Sequence, residues 1–159
     1  MVQNAKEKLF EDEANIYTKN SIQFLTLNMM DADHIDEIFE TYLKRLNKST
    51  FDILFCFSVT MWIHLNHGDR GLEYFFRTTK KWCNYLVLEP QPWKCYRTAS
   101  RRMRRSQQPE FEHLEQISCK SEKLLPYIIN QCEKAGFETI YQFGETNWKR
   151  KIILFKSIM

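Results

Sequence analysis

Glycine is scarce in this chain and never clustered: Gly68, Gly71, Gly136 and Gly144 are all it has, and none belongs to a strand-loop-helix glycine run. No phosphate-cradling loop of the dinucleotide or mononucleotide type is therefore written in the sequence. Cys56, Cys83, Cys95, Cys119 and Cys132 form no CxxC pair, and an odd, scattered set argues against both a disulfide framework and a zinc ribbon. They read as reduced thiols, mostly core. No stretch approaches the roughly 20 apolar residues of a membrane span, and Met1 to Glu13 is too charged for a secretory signal. A soluble protein with no membrane partner is expected, in the cytoplasm, with the nucleus as a second compartment. The net charge is only +3, too small by itself to imply nucleic acid.

What is present is a globular composition: 43% of 159 residues are hydrophobic, enough for one α/β domain over 1–159. Ala5 to Ala14 reads as a charged, solvated helix, broken by Asn15 to Asn20. Three apolar runs read as strands buried on both faces of a parallel sheet: Ser21 to Asn28, Asp52 to Ser58 and Tyr85 to Leu88. Between the first two, Ile35, Ile38, Phe39, Tyr42 and Leu46 recur at helical spacing, predicting a crossover helix over Asp33 to Asn47 with Asp33 as its cap. Leu72, Phe75, Phe76 and Trp82 predict a second helix over Gly71 to Cys83, and Leu124 to Lys134 a third that ends at Gly136. The chain closes as an antiparallel hairpin, Glu138 to Phe143 and Lys151 to Lys156, with Gly144 and Asn147 favouring the turn.

Three unusual segments fall where parallel strands end, the edge at which open α/β sheets bind ligands: LNMMD (Leu27 to Asp31), SVTMWIHLNHGD (Ser58 to Asp69) and EPQPWKCY (Glu89 to Tyr96). In the second, Trp62, His64, Asn66, His67 and Asp69 crowd aromatic and hydrogen-bonding groups behind an apolar strand. A pocket rim is the functional reading, and capping and turn groups before a helix, with Trp62 as core, is the plainer one. His64, His67 and Asp69 do not match a zinc-ligand spacing, so no metal is assigned. Pro90 and Pro92 stiffen the third segment so that Glu89, Gln91 and Trp93 project in set directions. Lys94, Arg97, Arg101, Arg102, Arg104 and Arg105 then gather on one predicted helix beside Trp93 and Tyr96, as a phosphate-binding surface or as a solvated face.

Together, SVTMWIHLNHGDRGL and LVLEPQPWKCYRTASRRMRR resemble the signature segments of the bicoid-interacting protein 3 domain, a family of RNA methyltransferases that modify 5′-terminal phosphates. The resemblance runs from about Ser21 onward. It implies a Rossmann-like, S-adenosylmethionine-dependent methyltransferase fold of sheet order 3-2-1-4-5-7-6, here incomplete because the first two strands and the glycine loop have no counterpart. Asn28, Met29 and Phe57 match cofactor-facing positions, and S-adenosyl-L-methionine is the implied cofactor. Met61 stands where the branch of the family that caps 5′ triphosphates typically has lysine, and PWKCYR resembles the branch acting on 5′ monophosphates of small RNAs. RNA with a 5′ monophosphate is thus the implied substrate. His64, Asn66 and Gln91 are expected to orient the phosphate, Trp62 and Trp93 to wall the pocket, Glu89 to order the loop, and Lys94, Arg97, Arg101 and Arg102 to hold the RNA backbone. The rival expectation is an inactive remnant that binds RNA 5′ ends without cofactor.

Overall fold

A computed structural model describes residues 23–158. The expected Ala5 to Ala14 helix, its break at Asn15 to Asn20, and Ser21 and Ile22 lie outside the described residues. The elements are α1 (Ala32–Arg45), β1 (Phe51–Phe57), α2 (Thr60–Trp82), β2 (Cys83–Glu89), α3 (Trp93–Arg105), a 3₁₀ turn (Ser121–Lys123), α4 (Leu124–Lys134), β3 (Phe137–Glu145) and β4 (Lys151–Ser157). They build a mixed α/β unit on one four-stranded sheet of order β1-β2-β4-β3.

The strands pair as the β-α-β pattern and closing hairpin require. β1 lies parallel to β2, with Leu54 opposite Leu86 and Cys56 opposite Leu88. A parallel pair needs a crossover, and α2 supplies it. β4 returns antiparallel to β2 and carries β3 on its far side. One face of this sheet packs under α2, α3 and α4: Leu86, Leu88, Ile153 and Phe155 from the strands meet Leu65, Leu72, Phe75, Phe76, Tyr96 and Ile128 from the helices. A smaller cluster of Ile35, Leu43 and Trp82 fixes α1, where Asp36 accepts a hydrogen bond from Trp82 Nε1 at 2.9 Å.

Three expectations are corrected. Residues 23–28 join no ladder, so the Ser21 to Asn28 strand is not formed over its described part, and among the described residues β1 is an edge strand. Nor is β1 buried on both faces: Ile53, Phe55 and Phe57 are exposed, with Phe55 at 59%, and Tyr85, Tyr141 and Phe143 are exposed as well. Ile53 lies opposite Tyr85 in register, so an apolar sheet face is open here. The cap of α1 is Asp31, whose carboxylate accepts from His34 N at 3.2 Å, and not Asp33.

Details elsewhere also differ. In the hairpin, Gly144 belongs to β3, and the turn is closed by Thr146 N donating to Arg150 O at 2.9 Å and Lys149 N donating to Thr146 O at 2.8 Å, with Lys149 at φ 57°. Gly136 does close α4 as expected, at φ 98°, donating to Glu133 O at 2.9 Å. All five cysteines are free. Cys83 and Cys132 are buried, and Cys56, Cys95 and Cys119 are half-buried. Burial pushes the Cys56 thiol up to about 12, which makes it unreactive at neutral pH.

Helix α2 begins eleven residues earlier than Gly71, at Thr60, and is broken once, at Gly68 (φ 64°, ψ −165°). That conformation is almost restricted to glycine. A Cβ here would also stand 3.3 Å from His113 Nδ1. Gly68→Ala should therefore cost about 1–3 kcal/mol, read as a lower urea midpoint at unchanged slope. An unchanged midpoint would show that the break is not held in place.

Candidate active site

The carboxyl end of β1 is where two of the three unusual segments meet. Asn28 accepts from Met30 N at 3.1 Å and, through its carbonyl, from Asp31 N at 3.0 Å, so LNMMD folds into a tight turn leading into the α1 cap. Ser58 leaves β1 at φ 58°, and α2 starts two residues later. Between the turn and the first turns of α2 lies a cavity of about 300 Å³, lined by Leu27, Asn28, Met29 and Met30 on one side and by Ser58, Val59, Trp62, Ile63, Asn66 and His67 on the other. Its volume is at the lower end for a small-molecule site. Trp62 is 48% exposed and packs its ring 6.2 Å from that of Phe111, so it stands as a wall. Asn66 donates to the Trp62 carbonyl at 2.7 Å, which fixes its amide on this rim.

Beneath the rim lies a buried polar network. His64 is fully buried; its Nε2 is 2.6 Å from Asp69 Oδ1 and its Nδ1 is 3.2 Å from the Tyr96 hydroxyl. Asp69 Oδ2 in turn accepts from Ser118 N at 3.1 Å and from the Ser118 hydroxyl. Burial lowers the His64 pKa and outweighs the pull of Asp69, so the imidazole is neutral at pH 7. A neutral ring with both nitrogens engaged donates from Nε2 to the carboxylate and accepts at Nδ1 from the tyrosine, an assignment that follows from the hydrogen bonds. Tyr127 stacks parallel to His64 at 6.1 Å. The network ties α2, α3, α4 and the segment around Ser118 together.

A second network closes the ends of β1 and β2. Glu89 Oε2 accepts from the Ser58 hydroxyl at 2.9 Å and pairs with an Arg150 guanidinium nitrogen at 3.3 Å; the same nitrogen donates to Ser58 Oγ at 2.6 Å. Gln91 donates to the Ser58 carbonyl at 2.9 Å and accepts from Met61 N at 3.3 Å. Glu89, Gln91 and Met61 are all buried.

The structure thus divides the residues singled out in the sequence. Asn28, Met29, Trp62 and Asn66 line one cavity. His64 and Gln91, expected to orient the phosphate directly, are buried with their polar atoms engaged, and Glu89, expected to order the loop, is buried and bonded to Ser58 and Arg150; all three act on the cavity only by holding Ser58, Tyr96 and the start of α2 in place. Phe57 lies on the open sheet face, 50% exposed, and does not line the cavity. Met61 faces the core and does not line the cavity. Trp93 stacks on Tyr96 at 5.2 Å and, with Arg97 and Arg101, borders a separate cleft; Lys94 and Arg102 lie outside it. Sequence reasoning missed Tyr96 as a hydrogen-bond partner, Ser118 and Arg150. Their roles depend on partners far away in the chain, and no local pattern signals them.

The family model for Bicoid-interacting protein 3 (Bin3) matches residues 51–157, from the first residue of β1 to the last of β4. The chain is 40% identical over 138 residues, 87% of its length and 48% of the relative's, to an "RNA 5'-monophosphate methyltransferase" of Rattus norvegicus. The Mus musculus protein of the same name is 39% identical over 86% of this chain and 48% of its own length. A "Pre-miRNA 5'-monophosphate methyltransferase" of Xenopus laevis is 41% identical over 85% of this chain and 53% of its own length. The chain spans about half the length of the curated relatives it matches. With the model covering most of the chain and the relatives near 40% identity, the chain belongs to the Bicoid-interacting protein 3 family.

Proposed function

We propose that this chain forms the substrate-facing part of an S-adenosylmethionine-dependent methyltransferase that acts on the 5′-terminal monophosphate of small RNA, as a single domain in the cytoplasm, with the nucleus as the alternative compartment. The observation that carries this reading is the convergence of the cofactor-matching Asn28 and Met29 with Trp62 and Asn66 around one cavity at the carboxyl end of a parallel strand. The strand order β1-β2-β4-β3 coincides with the 4-5-7-6 end of the Rossmann-like methyltransferase sheet. The relatives, named as RNA and pre-miRNA 5′-monophosphate methyltransferases, supply the substrate class.

The cavity fits the adenosine end of the cofactor: Met29, Met30 and Trp62 offer apolar, polarisable walls for a flat ring, and the Asn28 and Asn66 amides offer donors and acceptors. S-adenosylmethionine, when bound, supplies an electrophilic methyl group. A terminal phosphate carries about −1.5 to −2 charge at pH 7, so the accepting oxygen is already anionic and no residue has to serve as a strong base. What remains is positioning and exclusion of water. Trp62, backed by Phe111, shields the cavity, while Asn66 on the rim orients polar groups that enter it. His64, through Tyr96 and Asp69, and Gln91, through Ser58 and Met61, keep that rim in one geometry.

Calorimetric titration of S-adenosylmethionine into the 159-residue chain tests the proposal. Saturable binding is expected, competed by adenosine. Trp62→Ala should weaken it by about tenfold, within the roughly 1–3 kcal/mol that an aromatic stack on a base contributes. A folded sample that takes up neither ligand overturns the reading, and so does binding indifferent to Trp62.

A further inference from the structure

The cleft beside α3 is not used by the cavity at β1, and its chemistry is different. Arg97, Arg101 and Arg104 line it from one face of α3, and Lys120 closes it from the segment after the helix; its volume is about 380 Å³. Two carboxylates answer these four cations: Glu110 lies 3.6 Å from Arg104, and Glu115 lies 3.5 Å from Lys120. Among the described residues Arg97 and Arg101 have no carboxylate within ion-pair distance, so the cleft keeps an excess of positive charge.

Its floor is aromatic. Trp93 is backed by Tyr96 in a stacked arrangement, interplanar angle 27°, and Tyr96 is itself fully buried and bonded to His64. The indole is therefore held rigid, with Lys120 Nζ 5.8 Å from its ring centre. Residues four apart on a helix stand about 6 Å apart along its axis, close to the step between successive phosphates of an extended single strand. Cations in a row beside a fixed indole are how single-stranded nucleic acid is gripped without reading its sequence.

We infer that this cleft binds single-stranded RNA behind its 5′ end, with Arg97, Arg101, Arg104 and Lys120 on the phosphates and Trp93 stacked on a base. The inference takes the identity of the strand from the methyltransferase reading above. Adjacent residues connect the cleft to the β1 cavity: Phe111 packs on Trp62, which lines the cavity, while Glu110 lines the cleft. A strand in the cleft would thus pass close to the rim of the cavity assigned above to the cofactor. Lys120 lies outside the basic cluster that the sequence offers as a phosphate-binding surface, and Lys94 and Arg102, which belong to that cluster, lie outside the cleft.

The test is fluorescence anisotropy with a labelled 5′-hydroxyl RNA of about ten nucleotides, across a salt series. Because the probe has no terminal phosphate and no cofactor is added, its result is independent of the methyltransferase reading, whose failure would appear in the cofactor titration instead. Arg97→Ala/Arg101→Ala should weaken binding by about tenfold or more and flatten the salt slope by about 1.4, given roughly 0.7 per phosphate contact on single strands. Both side chains are exposed, so the core is untouched. Trp93→Ala should weaken binding at least fivefold and Trp93→Phe should restore most of it, whereas Arg105→Ala changes it less than twofold. Wild-type affinity in the folded double variant overturns the inference; so does equal binding of a polyglutamate peptide at the same ionic strength, which would make the cleft a site for acidic protein.

Discussion

Asp69→Ala lowers the unfolding free energy by about 2–4 kcal/mol, and the melting temperature by roughly 5–15 °C at the sensitivity usual for a chain of this size. The carboxylate holds three donors at once: His64 Nε2, Ser118 N and the Ser118 hydroxyl. Water can replace Asp69 at Ser118, which is exposed, but not at His64, which is fully buried. The variant leaves that ring nitrogen unpaired inside the core, and an unmade buried hydrogen bond costs more than a made one contributes. Tyr96→Phe is the graded comparison, removing only the hydroxyl at Nδ1, for about 1 kcal/mol. Equal losses in the two variants would show that Asp69 does not anchor the network.

The same network sets the response to acid. Burial depresses the His64 pKa; for Asp69, burial raises it, but the bonds from Ser118 and His64 outweigh this and hold it below the usual carboxylate range. In both cases the unfolded chain takes up the proton first, so each contributes stability that is present above the unfolded pKa and lost as pH falls through the folded one. For His64 the decline begins below its ordinary value of 6.5, and for Asp69 below 3.8.

Glu89→Ala has a comparable effect at the other network, about 2–4 kcal/mol. Breaking a buried ion pair by removing one partner costs about 3–5 kcal/mol, reduced here because the Arg150 side chain keeps 20% exposure. Among the described residues Arg150 Nε is buried without a partner, and the guanidinium's hydrogen bonds there go to Glu89 and Ser58. The double variant Glu89→Ala/Arg150→Ala should lose less than the two single losses added together, since removing both leaves no buried charge. Urea unfolding of the four proteins measures the coupling, and strict additivity would mean that the pair does not interact.

The sequence announced the elements that satisfy themselves locally. Period-four apolar residues marked α1, the second half of α2 and α4, and continuous apolar runs marked β1 and β2, because those patterns are cut by the helix and strand repeats themselves. The first half of α2 reads in the sequence as a pocket rim or as capping and turn groups, since Trp62, Asn66 and His67 face out and Gly68 interrupts the helix. His64 was read as a rim residue for the same reason: a buried histidine looks polar until Tyr96 and Asp69 are found beside it. Arg150 sits in a hairpin turn, where an exposed side chain is the normal expectation, and only Glu89, contributed by another strand, draws it inward. Asn28 and Met29 were legible as strand-end residues, yet the strand itself requires a neighbouring strand that residues 23–28 do not have among the described residues.

The sheet joins two halves that each arise from nearby chain: β1 and β2 through one crossover helix, and β3 and β4 through one tight turn. Only the seam that sets Leu88 against Ile153 spans distant sequence. Its loop is longer than those within either half, so its closure costs the most entropy of the three strand pairings, and that cost comes before the contacts that reward it. The seam therefore belongs to the late stage of folding, with the two halves as its preformed pieces.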